Sequence, residues 1–334
     1  MSYTLSQLLN RLSFRQLQVF YSVYERQGYS RAAEELGLTQ PAVSAQIRQL
    51  EHAIGLPVFE YVGKKLYVTA AGEQLARHVA SIFEDLERFQ MDLATLQGQI
   101  RGELRLSAVS TAQTVVPYML RGFLQLFPQV QVQMQVFSRA QALQRLTENH
   151  DDLVIMGMVP ESRALNILPF LDNLLVPVMN ADDPLLKQGA ISTRRFLEEG
   201  LLLRERGSGT RQALESWCTR HQLSLKARLE LGSNAAIKHG VVAGLGRAVL
   251  PRLSVSAELK LGQLVIPPLE GFPLRRSWCI VYPNGKHPTP VMRAFMDYVK
   301  DSMKALHQQL YALDQAPVAT GREGSVIHSL QEPA

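Results

Sequence analysis

Cysteine is nearly missing from this 334-residue chain, which carries only Cys218 and Cys279, far apart in sequence. That excludes a disulfide framework. The pair reads as two buried thiols in a reducing compartment, and a redox switch would need folding to bring them to bonding distance. Long apolar runs are also missing: nothing approaches the ~18 residues of a membrane span. Residues 1–16 lack a basic segment followed by an apolar core and a small-residue cleavage site, so the chain is expected to stay in the cytoplasm, with no membrane partner. The eight histidines are scattered, with no metal-ligand spacing near either cysteine, so neither a metal site nor a cofactor is expected. There is no G-x-S-x-G, no Walker loop and no paired His/Glu arrangement, and the chain is not expected to be an enzyme.

What is present is the composition of a globular protein, 46% hydrophobic and 19% charged, long enough for two or three cores. A net charge of +5 permits a polyanionic partner without requiring one.

The first 71 residues carry the sharpest local pattern. After a short extension (1–13), residues 14–27 repeat Leu17, Phe20 and Tyr24 at helical spacing. Ser30 is placed to cap a second helix over 31–36, and Gly37 allows the left-handed turn of a tight corner. Thr39 caps a third helix with Pro41 in its first turn. Val43, Ile47 and Leu50 face the core of that helix. Gln40, Pro41, Ser44 and Arg48 share another face, short and polar as a surface entering a major groove should be. Gly55-Leu56-Pro57 ends the helix. Residues 58–68 then read as a two-stranded wing whose tip carries Lys64 and Lys65, well placed for phosphates, although an ordinary solvated hairpin tip is often basic too. The expected element is a winged helix-turn-helix over 14–71 that binds double-stranded DNA.

Residues 72–97 follow as one long helix. Leu75, Val79, Ile82, Leu86, Phe89, Leu93 and Leu96 repeat with spacing 4-3-4-3-4-3, a heptad seam that asks for a partner helix. A dimerisation helix is the expectation, and an amphipathic helix packed on its own domain is the alternative. Glycines flank a hinge at 98–102.

Beyond it the pattern becomes α/β. Strands are expected at 104–109, 130–137, 153–158, 228–231 and 278–282. Helices are expected at 111–127, 140–149, 194–199, 210–221, 235–243 and 290–310. This βαβ order predicts a mostly parallel sheet covered by helices, in a domain spanning 103–310. Residues 311–334 lose periodicity and are expected to be poorly ordered.

Taken together, the Ala32-Ala33 helix, LTQPAVSAQIRQLE at 38–51, the wing ending YVTAAG, the linker helix and the α/β part resemble the LysR-type transcriptional regulators over about residues 11–305. The resemblance implies a dimer of dimers acting with promoter DNA and RNA polymerase. It also implies a C-terminal domain like the type II periplasmic binding proteins, two α/β lobes with an effector between them. Three segments are most similar to regulators of RuBisCO and Calvin-cycle operons: FEYVGKKLYVTAAG at 59–72, LLLRERGSGTRQALE at 201–215 and ELGSNAAIKHGVVAGLGRAVLP at 230–251. Tyr61 and Ala45 depart from what is frequent at those places in the family.

Three strand-to-helix junctions carry hydroxyls or amides: Ser110-Thr111, the turn holding Ser208 and Thr210, and Ser233-Asn234. Exposed N–H groups and the helix dipole favour an anion at such places, and Arg204, Arg211 and Lys238 add full charges nearby. Plain helix capping would account for any one of these residues. Their clustering points to an anionic small metabolite, a phosphorylated sugar or a carboxylate, and the resemblance implies Calvin-cycle or photorespiratory intermediates. A regulator of another operon, sensing an aromatic or amino-acid-like ligand, is the alternative; a periplasmic solute-binding protein shares only the C-terminal fold. GSGTRQ at 207–212 lacks the third glycine of a dinucleotide loop.

Overall fold

The structure, a computed structural model, describes residue 6 and residues 10–63, 65–160 and 162–315. The chain divides into two compact units, 1–93 and 94–334.

In the first unit, α1 (Phe14–Arg26), α2 (Tyr29–Leu36) and α3 (Gln40–Ile54) precede the hairpin β1 (Phe59–Val62) and β2 (Lys65–Val68), and α4 (Ala70–Leu96) follows. Phe20, Val23, Ala32, Val43, Ile47 and Leu50 form the three-helix core, joined by Val58 and Phe59 from the wing. A capping box starts α1, with Ser13 and Gln16 exchanging side-chain and backbone bonds. Gly28, not Ser30, occupies the cap position of α2, because the helix starts two residues earlier than expected and buries Ala32 and Ala33. Gly37 closes α2 at φ +62, and its N–H bonds back to Glu34.

The second unit opens with β3 (Gly102–Val109), α5 (Val116–Leu126), β4 (Val130–Phe137), α6 (Arg139–Thr147) and β5 (Leu153–Met156). Residues 111–115 form turns, so α5 begins about five residues later than expected, with Pro117 in its first turn. Next come β6 (Leu165–Asn180), α7 (Thr193–Glu198), β7 (Leu201–Arg204), α8 (Gly209–Arg220), β8 (Ala227–Leu231), α9 (Asn234–Val242) and β9 (Ala248–Pro251). The unit ends with α10 (Ser256–Lys260), β10 (Leu264–Val265), β11 (Leu274–Pro283) and α11 (Pro290–Gln315). Helix α11 therefore runs five residues past the expected end of the domain, and the remaining tail lies outside the described residues.

The sheet corrects the expectation of a mostly parallel arrangement. Seven strands form one sheet, and only β3–β4 and β3–β5 pair in parallel within it. Strands β6 and β11 run antiparallel to each other over ten register pairs, and β6 also takes β9 and β10 antiparallel. The 16-residue β6 escaped sequence reading because Pro169 and Pro177 punctuate it. Pro169 sits beside the register shift opposite Trp278 and Cys279, where a bulge tolerates it. β6 and β11 thread both lobes. β3, β4 and β5 with α5, α6 and α11 make the first lobe. The second holds β9, β10 and the parallel pair β7–β8, with α7–α10.

Candidate nucleic-acid interface and ligand cleft

Helix α3 is positioned by its neighbours on both sides. Thr39 Oγ1 accepts from the Ala42 N–H at 3.4 Å and starts the helix one residue ahead of Gln40 and Pro41. From its far end, Glu51 Oε1 accepts the Val58 N–H at 2.9 Å and so ties the wing to the helix. Glu35 clamps α1 to α2, accepting from Arg26 Nη2 at 2.8 Å and Ser22 Oγ at 2.6 Å. These bonds, with the Arg26 and Ser22 donors acting first, hold the Glu35 carboxyl down at about 2.

Gln40, Pro41 and Arg48 are exposed and Ser44 is half-buried, while Val43 and Ile47 are fully inside. Arg48 Nη1 donates to Ser44 Oγ at 2.9 Å, so the two residues form one polar surface. Lys65 is exposed at the start of β2, opposite Val62; Lys64 lies outside the described residues. Tyr61 and Val62 stand out of the wing, and Tyr61 stacks on Tyr29 at 6.3 Å between centroids. Burial, with Glu51 and Tyr61 nearby, pushes the Tyr29 phenol up to about 12.

The heptad seam divides into two parts. Leu75 and Val79 pack into the core of the first unit together with Ala76 and Phe83, which corrects their assignment to a partner helix. Ile82 (38% exposed), Leu86 (43%), Phe89 (58%), Leu93 (43%) and Leu96 (84%) continue the stripe on the surface. An open groove lined by Phe14, Tyr21, Leu36, Phe83 and Leu86 runs beside it. The head's own core covers the start of the seam, and a heptad places residues on one face without saying what covers that face.

In the second unit, a cleft lies between the lobes at the carboxyl ends of β3, β5 and β7. Ser110, Thr111, Arg204, Ser208 and Thr210 line it. Ser208 is the buried cap residue of α8, and its side chain makes no cap bond to its own helix. Arg204 is 4% exposed and spans the lobes. It donates to Ser110 Oγ at 3.3 Å from one side, to Asn234 Oδ1 at 2.7 Å from the other, and to both oxygens of Glu205 at 2.7 and 2.8 Å.

The other expected residues lie outside this lining. Arg211 turns back into its own lobe, bonding the Arg204 carbonyl at 2.9 Å, Glu215 at 2.7 Å and Glu230. Ser233 caps α9 by accepting from Ala236 N–H at 3.1 Å. Lys238, more than a turn into α9, pairs with Glu258 at 2.6 Å. Asn234 supports Arg204 from behind.

Residues that sequence reasoning passed over complete the cleft: Arg139, Asn173, Glu205, Arg276 and Trp278. Arg139 follows the cap Ser138 at a strand-to-helix junction, a signal of the same kind as the three that were read. Its Nε and Nη2 both donate to the Met158 carbonyl at 3.3 and 2.8 Å, and burial pushes its guanidinium pKa down. Arg276 Nη1 donates to the Arg275 carbonyl at 3.1 Å, and its Nε is buried with no partner. Among the described residues neither arginine has a carboxylate partner. Three guanidiniums against one carboxylate leave the lining positive, with hydroxyls at the head of α8: an anion-binding surface.

Both thiols are buried, Cys218 in the core of the second lobe and Cys279 on β11, and burial raises the Cys218 thiol to about 11. No group of three or more His, Cys, Asp or Glu that could hold a metal occurs among the described residues, and no described helix is long and apolar enough to cross a membrane.

Comparison with known proteins matches this architecture part by part. Residues 14–73 match the bacterial regulatory helix-turn-helix protein model of the lysR family, and 97–304 match the LysR substrate binding domain. A RuBisCO operon transcriptional regulator of Acidithiobacillus ferrooxidans is 42% identical over 291 residues, 87% of this chain and 94% of the relative. The HTH-type transcriptional activator CmpR of Synechocystis sp. is 38% identical over 87% of this chain and 96% of its own. The structure of the Synechocystis CcmR regulatory domain in complex with 2-PG is 36% identical, covers 61% of this chain and 98% of that one, and superposes with a TM-score of 0.57. The chain therefore belongs to the LysR family, and it is a DNA-binding transcriptional regulator.

Proposed function

We propose that this regulator activates a RuBisCO operon in response to an anionic metabolite of central carbon metabolism bound between the two lobes. The observation that carries the reading is the pair Arg139 and Arg276, two guanidiniums lining the cleft with no carboxylate to neutralise them. Both are half-buried, and a ligand oxyanion supplies the counter-charge that no described carboxylate gives them. A phosphomonoester or a dicarboxylate meets that need, whereas a neutral aromatic ligand, or an amino acid whose ammonium offsets its carboxylate, would leave most of it unmet. The relatives named as RuBisCO operon regulators, and the relative bound to 2-PG, point the same way.

DNA is read by Gln40, Pro41, Ser44 and Arg48, with Lys64 and Lys65 on the wing for phosphates. One head carries seven basic residues against five glutamates between residues 11 and 71, so single-copy affinity is modest. Ile82, Leu86, Phe89, Leu93 and Leu96 join heads into a dimer, and dimers pair into a tetramer, which raises affinity through effective concentration. Effector binding shifts the lobes, the heads change spacing on the promoter, and contact with RNA polymerase follows in the cytoplasm.

Calorimetric titration of the full chain with 2-phosphoglycolate is the test. Saturable binding that is lost on Arg139→Gln supports the reading. Binding that is indifferent to Arg139→Gln and Arg276→Gln removes it.

A further inference from the structure

The cleft contains one element that works against anion binding. Glu205 is the sole acidic side chain among its lining residues. It stands at the first position of a tight turn, where the Ser208 N–H bonds to the Glu205 carbonyl at 3.2 Å and Gly207 takes φ +88 at the third position. The turn sets its carboxylate against its neighbour Arg204, with Nε to Oε2 at 2.7 Å and Nη2 to Oε1 at 2.8 Å, a bidentate fork.

A guanidinium has five N–H donors. In Arg204 two go to Glu205, one to Asn234 and one to Ser110, so at most one is uncommitted. The two donors held by Glu205 form the bidentate edge that an effector oxyanion would otherwise take. Exposure has the same direction, since the Arg204 side chain is 4% exposed and that of Glu205 is 33% exposed. A solute entering the cleft thus meets the carboxylate before it meets the cation.

We propose that Glu205 sets the affinity and charge selectivity of the cleft by acting as an internal anion on Arg204, so that an effector engages Arg204 only by exchanging with it. The inference rests on the reading of the cleft as an anion site. Arg139 and Arg276, held only by backbone carbonyls, take the first anionic group without displacing a carboxylate. Recruitment of Arg204 requires a ligand charged enough to displace a carboxylate already held in bidentate geometry. A monoanion that satisfies Arg139 or Arg276 leaves the Glu205–Arg204 fork intact, and with it the bridge from Arg204 to Ser110 of the other lobe. A dianion of two separated groups can reach Arg204 as well and thereby remodel the contact between the lobes. The same fork explains how weakly charged metabolites would be kept from setting the switch.

The experiment is calorimetry on the full chain with two probes, 2-phosphoglycolate and inorganic phosphate, against the unmodified protein, Glu205→Gln and Arg139→Gln. Removing the competing charge while keeping the size of the side chain is expected to tighten both probes by roughly tenfold or more. It is also expected to narrow the gap between them, since phosphate would gain Arg204 without needing to displace anything. If Glu205 merely held Arg204 in place, Glu205→Gln would bind both probes less well, and that result overturns the proposal. Should the unmodified protein bind in an Arg139-dependent way and Glu205→Gln bind no tighter, the internal-anion role falls while the anion site stands. If no variant binds either probe, both readings fall together. A crystal structure of the unmodified chain with 2-phosphoglycolate supplies a test that does not depend on the variant folding. Glu205 is expected to have released Arg204 Nε and Nη2 to the ligand, and an intact fork beside bound ligand refutes the exchange.

Discussion

Replacing Leu86 and Leu93 by lysine tests the proposed dimer seam most sharply. Each is 43% exposed in the single chain. Burying a whole leucine side chain is worth about 1.5–3 kcal/mol, so covering the exposed part contributes about 1 kcal/mol. A two-fold interface buries each residue twice, and the four side chains together contribute about 4 kcal/mol. The double variant L86K/L93K loses that contribution and adds like charges along the stripe. At about 1.4 kcal/mol per decade, its dimer dissociation constant should rise about a thousandfold. Sedimentation equilibrium measures this directly. The melting profile of the monomer should hardly change, because both side chains already face water. Affinity for a two-half-site operator should fall in step, since the second head no longer binds intramolecularly. An unchanged dissociation constant in the double variant would contradict the seam and return the stripe to a surface of its own domain.

Three further outcomes follow from the first unit. Ser44→Trp should abolish operator binding in a gel-shift assay while leaving sedimentation unaltered; retained binding would remove α3 from the major groove. Gly72→Ala sets a Cβ 2.2 Å from the Val58 carbonyl oxygen and 2.7 Å from Val68 Cγ1, and should destabilise the wing junction by about 1–3 kcal/mol, read as a lowered melting temperature. The Glu35 carboxyl, held down at about 2 by Arg26 and Ser22, contributes stability that is fully present above the ordinary carboxylate value of about 4.3 and is lost as pH falls toward 2. The margin of the unmodified protein over Glu35→Gln should therefore shrink between those limits in thermal melts, and a margin that does not vary with pH would contradict the clamp.

The helix-turn-helix was legible because its determinants are local. Thr39, Pro41 and Gly37 act within one turn, and Val43, Ile47 and Leu50 mark the buried face by spacing alone. Ser30 misled because a hydroxyl next to a helix start is a cap only if the helix starts there, and burial of Ala32 and Ala33 moved the start to Tyr29. In the cleft, Ser110, Thr111, Arg204, Ser208 and Thr210 could be read from strand-to-helix junctions. Arg211 and Lys238 looked equivalent in sequence, but Glu230 and Glu258 satisfy them elsewhere through tertiary packing, while Ser233 serves a local cap for the Ala236 N–H. Asn173 stayed hidden because it rides on β6, Arg276 because β11 starts four residues before the strand expected at 278, and Trp278 because nothing local pairs that strand with β6. The two prolines of β6 conceal a strand that only pairing reveals.

Footprinting on a RuBisCO-operon promoter, with and without 2-phosphoglycolate, reads the coupling between the cleft and the heads. For the unmodified protein, the protected region should change in length or internal spacing when the metabolite is added. Arg139→Gln should leave one fixed pattern in both conditions. Identical footprints with and without the metabolite in the unmodified protein, at concentrations where calorimetry shows the cleft filled, would contradict the claim that anion binding between the lobes governs how the heads sit on DNA.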